Sequence, residues 1–550
     1  MTRLYAGAAL GAFAIALQAS PTMAQEAPAA AQSSDEPRQS EIIVTGTRRS
    51  DLTAADAALP IDIISGDDLI EKGASDMNDL LRTEVPSLNI QRLVSNDGAV
   101  FTRPFSLRGL PPDQTLVLVN GKRRHRGATV QFTNVPYIRG SQGPDLAAIP
   151  SIAVGQLEVL RDGASALYGS DAIAGVLNFG LRRDREGGIL IARYGQYYEG
   201  DGQDFLVQGN LGLPFTDMGF VNISGEYVNS DTTSRGIQRP DAQALINAGV
   251  QGVPVPAQRW GNPKTEAARI FVNAGLELSD NMDFYTFGNY SWSKGTTAFF
   301  YRNPNTTFIA TSIPTTNVAG GPRFSFRQNY PGGFTPDFGA TITDAALAAG
   351  LKGEFGSGLT YDVSASYGQN HASYRIDNTV NPSLGLTSPT SFKPGQLEQR
   401  ELAFNLDLTY PINIGAADPL TLAGGLEYRK ETYEITVGDL ASWQVGPFAS
   451  LIDPDTGLRT GLPVGSNGFP GFSPIQAGEF SRSNWAAYTS LEGNLTDAFQ
   501  MGLAGRYENY SDFGSRFTWK VSGRYDFSDV FAVRGSVNTG FRAPTPGQSN

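Results

Sequence analysis

The residue types that do covalent chemistry are scarce in this chain. It has no cysteine and two histidines, His125 and His371. Thiolate, disulfide and iron–sulfur chemistry are therefore excluded, and a zinc or haem site would lack ligands, so no metal site and no cofactor is expected. A Ser-His-Asp grouping through either histidine stays open only in principle, since no nucleophile, base and acid are brought together by any motif. Two other stretches favour binding over catalysis. Lys122-Arg123-Arg124-His125-Arg126 is a dense basic run, which would attract an anionic ligand or else be neutralised by acidic residues packed around it. Glu41-Ile42-Ile43-Val44-Thr45-Gly46 is a β-prone hexamer, suited to adding a strand to a partner's sheet edge or to starting a sheet of its own.

The surrounding elements must hold these two stretches. A chain of 550 residues needs at least two structural units. Its net charge of -12 argues against nucleic-acid binding. No apolar run of about 18 residues follows the N-terminus, which excludes a helical membrane protein. A mean hydropathy of -0.22 with 10% aromatic residues still fits a membrane β-barrel, whose strands alternate apolar and polar positions. Residues 1–24 read as a signal peptide: Arg3, an apolar run Leu4 to Leu17, and Thr22-Met23-Ala24 before the cleavage point. Residues 25–40, rich in Ala, Pro, Gln and Ser, read as a flexible tether that delivers the hexamer at 41–46.

From Pro60 the pattern is mixed α/β. Ile61 to Ile64 predicts a strand, Ser65 or Asp67 a helix cap, and Ser75 the cap of a second helix reaching Arg82 before Pro86. Leu88 to Leu93, Phe105 to Arg108 and Thr115 to Val119 predict short strands, the last turning at Asn120-Gly121, a favoured hairpin pair. The richest stretch runs from Leu157 to Leu181: a strand, an Asp162-Gly163 turn, a crossover of small residues and a second strand from Gly175.

That stretch, LEVLRDGASALYGSDAIAGVLNF, resembles the plug domain of TonB-dependent outer-membrane receptors, and Ser106-Leu107-Arg108-Gly109 and Val117-Leu118-Val119-Asn120-Gly121 occur in the family's order. The resemblance implies an N-terminal α+β plug domain, residues 47–187, inside a transmembrane antiparallel β-barrel, residues 188–550. It implies that Glu41, Ile42, Ile43, Val44, Thr45 and Gly46 are the TonB box. Arg108 and Arg161 match plug positions that latch onto barrel glutamates, for which Glu492 and Glu427 are the candidates; a local salt bridge within the plug is the alternative. Asp162 stands where the family often has Gly. Three plug loops, Val94 to Pro104, Leu110 to Gln114 and Lys122 to Gly140, would form the floor of a substrate site, which makes Arg103, Gln114, Arg124, His125 and Arg126 the substrate-contacting candidates.

After Arg182-Arg183-Asp184 the period becomes two, and about a dozen long alternating strands follow between Ile189 and Gly540, with aromatic residues crowding their ends. Short turns, such as Leu213 to Asp217 and Asn494 to Ala498, alternate with long insertions at Ser230 to Glu266, Gly295 to Gly350 and Val437 to Asn484, which are expected to be extracellular. Lumens that hold a plug come with about 22 strands, so the chain is expected to stop short of a closed barrel.

The implied function is TonB-dependent uptake of a scarce nutrient across the outer membrane, with a ferric siderophore as cargo and no reaction catalysed. The implied partners are TonB with its inner-membrane energising complex, outer-membrane lipid and the small-molecule ligand. Loop residues such as Trp260, Tyr301, Asn303 and Trp443 equally suit a carbohydrate or other organic nutrient. A passive porin or surface-binding protein would need neither a plug nor a tethered box. A signal-transducing relative would need a further folded domain, for which residues 25–40 have no room.

Overall fold

A computed structural model describes residues 45–49, 52–72, 76–94, 97–132, 135–528 and 530–550. The expected signal peptide, the tether and Glu41 to Val44 of the box lie outside the described residues, as does Ser75.

The plug is built on a five-stranded sheet in the order β1 (Ile61–Ser65), β6 (Val154–Leu160), β7 (Gly175–Leu181), β4 (Thr115–Val119), β5 (Lys122–Arg123). Between them lie α1 (Gly66–Glu71), α2 (Met77–Glu84), the β2 (Leu88–Ile90) and β3 (Phe105–Leu107) ladder, α3 (Ala99–Thr102) and α4 (Ser165–Tyr168). Only β4 and β7 run parallel. Every residue of β4 is buried because the sheet is covered on both faces: Val117 and Val119 enter one apolar cluster with Leu80, Leu157 and Phe179, while Leu116 and Leu118 enter another with Leu59, Leu160 and Val176. Gly175 is required where β7 passes β6, since a Cβ there would fall 2.2 Å from the Leu160 carbonyl oxygen. Of the two expected caps, Ser65 and Asp67, Ser65 caps α1, accepting the Asp68 amide at 3.1 Å, and α2 is capped by Asp76, one position past the expected residue. Asn120 and Gly121 both adopt positive φ, the hairpin geometry that turns β4 back into β5.

Around the plug stands a wall of 13 antiparallel strands paired in chain order: Gly188–Gly195, Asp204–Phe215, Gly219–Ser230, Lys264–Ser279, Met282–Ala298, Asp337–Glu354, Thr360–Asp377, Ser391–Ile412, Leu420–Thr436, Gly478–Thr496, Phe499–Tyr510, Gly514–Ser528 and Phe531–Asn538. The strand Asp337–Glu354 corrects the expected insertion, which shrinks to residues 299–336. Alternation is inside out compared with a soluble sheet. Leu347, Tyr367, Phe404, Tyr428 and Trp485 point outward and stay exposed, whereas Asn210, Asn273, Asp344, Asn370 and Gln399 point inward and are buried against the plug. No helix among the described residues is long and apolar enough to cross a membrane; the strands of the wall are the crossing elements.

The long connections all leave one end of the wall and fold into a cap. Ile309, Ile313, Phe324, Phe326, Phe334, Val380 and Leu462 form a cluster drawn from three connections. Its rings meet at centroid distances from 4.9 to 6.3 Å. A second cluster seats Ala128 and Val130 of the plug under Phe299, Phe338, Tyr374 and Phe392, with Phe469 and Phe472 of residues 437–477 packed on it. The third apical loop is thus largely covered, although Phe132 remains 68% exposed.

Candidate functional site

The β4–β5 hairpin aims five consecutive side chains of the basic run, Lys122 to Arg126, at carboxylates. Lys122 Nζ lies 3.0 Å from Asp362 and 3.5 Å from Asp407 on the wall. Arg123 donates to Asp171 at 2.8 Å and to the Tyr168 carbonyl at 2.8 Å, both within the plug. Arg124 donates to the wall residues Asp344 and Asn289, and His125 Nε2 sits 2.8 Å from the other Asp344 oxygen. Arg126 reaches Asp171 at 2.6 Å and wall residue Glu431 at 3.1 Å. Arg124, His125 and Arg126 are buried, so the wall neutralises the run, and these three candidates do not line an open substrate floor. His125 Nδ1 faces Gly368, where a Cβ would come within 2.2 Å, and no nucleophile has room on that side. His371 lies on the wall, 3.1 Å from Gln396.

Asp171 is the plug's own hub. It has φ 89°, a conformation unusual for a non-glycine residue. Burial pushes its carboxyl up, but Arg126, Arg123 and Arg429 outweigh it and hold the group well below the usual carboxylate range. The wall continues the network inward-facing: Glu431 accepts from Arg482, Arg506 bonds Glu427 at 2.9 Å and Glu508 at 3.0 Å, and Tyr510 donates to Ser170 at 2.8 Å.

The expected latch takes a different form. Arg108 donates to the Arg161 and Ile173 carbonyls, and Arg161 pairs with Asp62 at 2.8 Å, so both arginines stay within the plug. The reason is register: β1 lies beside β6, which brings Asp62 next to the end of β6 before any wall residue can reach it. Glu427 serves Arg506 instead. Glu492 holds the chain as it enters the plug, accepting the Thr47 hydroxyl at 2.9 Å and the Arg48 amide. Asp162 bonds wall residues Lys520 at 2.8 Å and Ser536 at 2.6 Å, a further tie between plug and wall.

Thr45 and Gly46, the described end of the hexamer, are seated in the plug. The Thr45 hydroxyl donates to Glu158 and accepts from Asn178 at 3.1 Å, and the Gly46 amide donates to the Tyr168 hydroxyl at 2.9 Å. The Arg48 guanidinium lies over the Tyr168 and Tyr488 rings, 5.7 and 5.2 Å from their centroids, and 3.8 Å from Asp407.

Arg103 is buried in an ion-pair set with Asp76 and Asp79, and it lines a cavity of about 620 Å3 between plug and wall. Asp145 lines the same cavity; burial and the neighbouring Asp344 carboxylate push its pKa up to about 7. Gln114 is half-buried, its carbonyl accepting the Ile173 and Ala174 amides, which fixes the small-residue crossover. Two further cavities lie along the same seam, one of about 30 Å3 beside Arg124 and His125 and one of about 1060 Å3 at the short-turn end. Among the described residues no group of three or more His, Cys, Asp or Glu side chains is placed to hold a metal ion.

Sequence reasoning did not find Asp344, Asp171 or Glu431. Asp344 sits in the alanine-rich strand mistaken for an insertion. Asp171 had a usable signal, being the sole acid in a crossover of small residues, where a charge needs a buried partner.

Comparison with known proteins places this geometry. The family profile described as TonB-dependent Receptor Plug Domain matches residues 53–176, and that described as TonB dependent receptor-like, beta-barrel matches residues 279–550. The chain is 23% identical over 498 residues to an iron-regulated outer membrane virulence protein of Vibrio cholerae, covering 89% of this chain and 58% of that protein. It is 24% identical over 521 residues to the ferric enterobactin receptor PirA of Pseudomonas aeruginosa, covering 92% of this chain and 61% of that one. The chain thus spans about three fifths of the length of these relatives. Among solved structures, a point mutant of the ferric enterobactin receptor PfeA of Pseudomonas aeruginosa, in complex with enterobactin, superposes with a TM-score of 0.60 at 16% identity, over 88% of this chain and 63% of that one.

Proposed function

The chain belongs to the TonB-dependent receptor family, and from that premise we propose that it drives uptake of a ferric siderophore across the outer membrane, coupled to TonB and its inner-membrane energising complex. The observation that carries this reading is the seating of residues 45–48. The chain enters the plug bonded on one side to Glu158, Asn178 and Tyr168 of the plug and on the other to Glu492 and Asp407 of the wall. Force applied at the hexamer 41–46 therefore arrives where plug and wall meet. Ion pairs suit such a joint, because breaking them into a wet lumen costs less than exposing a dry apolar weld. Residues 1–24 act as the export signal and 25–40 as the leash that presents the box. The relatives named for iron regulation and for ferric enterobactin favour an iron chelate as cargo.

A second reading, uptake of a carbohydrate or other organic nutrient, draws on the cap: Trp260 and Phe300 meet edge to face at 5.9 Å and are 42% and 49% exposed, a surface suited to stacking. The deciding experiment measures the protein's abundance in outer membranes of its native host under iron starvation, together with uptake of radiolabelled catecholate and hydroxamate iron chelates with and without TonB. Induction with TonB-dependent uptake supports the iron reading. Unchanged abundance and no chelate uptake overturn it in favour of organic nutrients. In the same assay Ile43→Pro, which blocks strand addition, should abolish uptake and leave ligand binding intact.

A further inference from the structure

Three cavities lie in line between the plug and one sector of the wall. The outer one, about 620 Å3, reaches Ser291 and Ile342. The middle one, about 30 Å3 and no larger than a water site, reaches Asn289, Ala346 and Ser366. The inner one, about 1060 Å3, reaches Asp283, Lys352 and Asp362 and opens beside the short turns. Along strand Asp337–Glu354 the outer cavity ends at Ile342 and the middle one begins at Ala346; the middle one ends at Ala348 and the inner one begins at Lys352. Each gap holds three residues, and its flanking positions lie about 13 Å apart along the strand. Arg124 and His125 close the outer gap, held there by wall residue Asp344, which also accepts from Asn289 and Asn370. Lys122 fills the inner gap, paired with Asp362, which also accepts the Tyr285 hydroxyl at 2.7 Å.

The geometry points to this seam as the path a ligand takes through the protein, with plug residues Lys122 to Arg126 as its gate. The inference rests on the transport reading and adds a location to it. Both closures are made by one short plug segment, so a single displacement of that segment joins all three cavities and leaves the rest of the plug in place. The segment is also fastened to the point of pull: Gly46 bonds the Tyr168 hydroxyl, and the Tyr168 carbonyl bonds Arg123. The Asp162 contacts with Lys520 and Ser536, on a different sector of the wall, are not part of the path.

The test is single-channel recording of the full-length protein in planar bilayers with potassium chloride as the probe, which needs neither TonB nor a ligand. The unchanged protein should be silent, Lys122→Ala/Arg124→Ala should show discrete openings, and Asp162→Ala should stay silent. A cationic methanethiosulfonate should at least halve the openings when Ser366→Cys, the sole cysteine, is added to the double variant. A folded but silent double variant, equal openings in Asp162→Ala, or openings indifferent to the reagent would each overturn the assignment. If the double variant fails to fold, Lys122→Ala and Arg124→Ala are read singly by the rate of Ser366→Cys modification. A rise of about tenfold or more is expected from unpairing a buried charge, and an unchanged rate rejects the gate. Openings as described, alongside no TonB-dependent uptake in cells, would sink the transport reading while leaving the seam.

Discussion

The Tyr168 hydroxyl accepts the Gly46 amide at 2.9 Å, and this one bond joins the chain entering the plug to the helix end that also carries Arg123 on its carbonyl. Tyr168→Phe removes the acceptor and keeps the ring. An amide left unpaired there costs about 1–3 kcal/mol, enough to shift residues 45–46 toward release. Limited proteolysis at the N-terminus of the ligand-free protein should then quicken about fivefold or more. An unchanged cleavage rate would show that Glu158 and Glu492 hold the segment without the tyrosine.

Gly368 exists to admit His125. A methyl at this position would fall 2.2 Å from the ring nitrogen Nδ1 and 2.8 Å from Cβ, so Gly368→Ala must push the gate segment off the wall. Overpacking of this kind costs about 1–3 kcal/mol, read as a lower melting temperature in detergent. His125→Ala removes the ring part of the clash and leaves only the 2.8 Å contact with Cβ, so the double variant should be less destabilised than the two single changes added together. Simple additivity would mean that the two residues do not touch in solution.

The plug was legible because its cues are local. LEVLRDG, the Asn120-Gly121 hairpin and the Ser65 cap each depend on neighbours within a few residues; the hairpin stands where expected, the cap falls on the first of the two expected residues, and the strand begins three residues earlier, at Val154. The wall was legible by its period of two, except at Asp337–Glu354. There ALAAG, with Phe338 as the single aromatic residue, weakens the contrast between faces, because alanine fits either one. Charge pairing was not legible. The wall carboxylates paired with Arg124 and Arg126, Asp344 and Glu431, lie 220 and 305 positions away, set by strand register and by how the plug is seated. The basic run itself was consistent with a ligand or with an acidic wall, and burial decided for the wall.

Asp171 combines a left-handed backbone with three guanidinium neighbours, so substitution can separate strain from charge. Asp171→Asn tolerates the backbone but leaves Arg126, Arg123 and Arg429 short of a counter-charge, at a cost of about 3–5 kcal/mol. Asp171→Gly relieves about 1 kcal/mol of backbone strain and loses the same charge, so it should also be clearly destabilised. A glycine variant melting at or above the unchanged protein would place the residue's importance in its backbone and not in the network.

Asp145 sets the sign of one pH effect. Burial, then the nearby Asp344, raise its folded pKa to about 7, while the Ala147 amide opposes them. Unfolded, the group titrates near the ordinary value of about 3.9. Between the two values the folded protein binds the proton more tightly, so this residue's contribution to stability is greatest below the lower one and declines as pH rises through about 7. The unchanged protein should therefore melt lower at mildly alkaline than at mildly acidic pH. Asp145→Asn stays neutral and can still accept the Ala147 amide, so it should raise the alkaline melting temperature and flatten the profile over this range. Should the asparagine variant keep the full slope, the pH dependence belongs to other groups, and Asp145 is not titrating in the folded state.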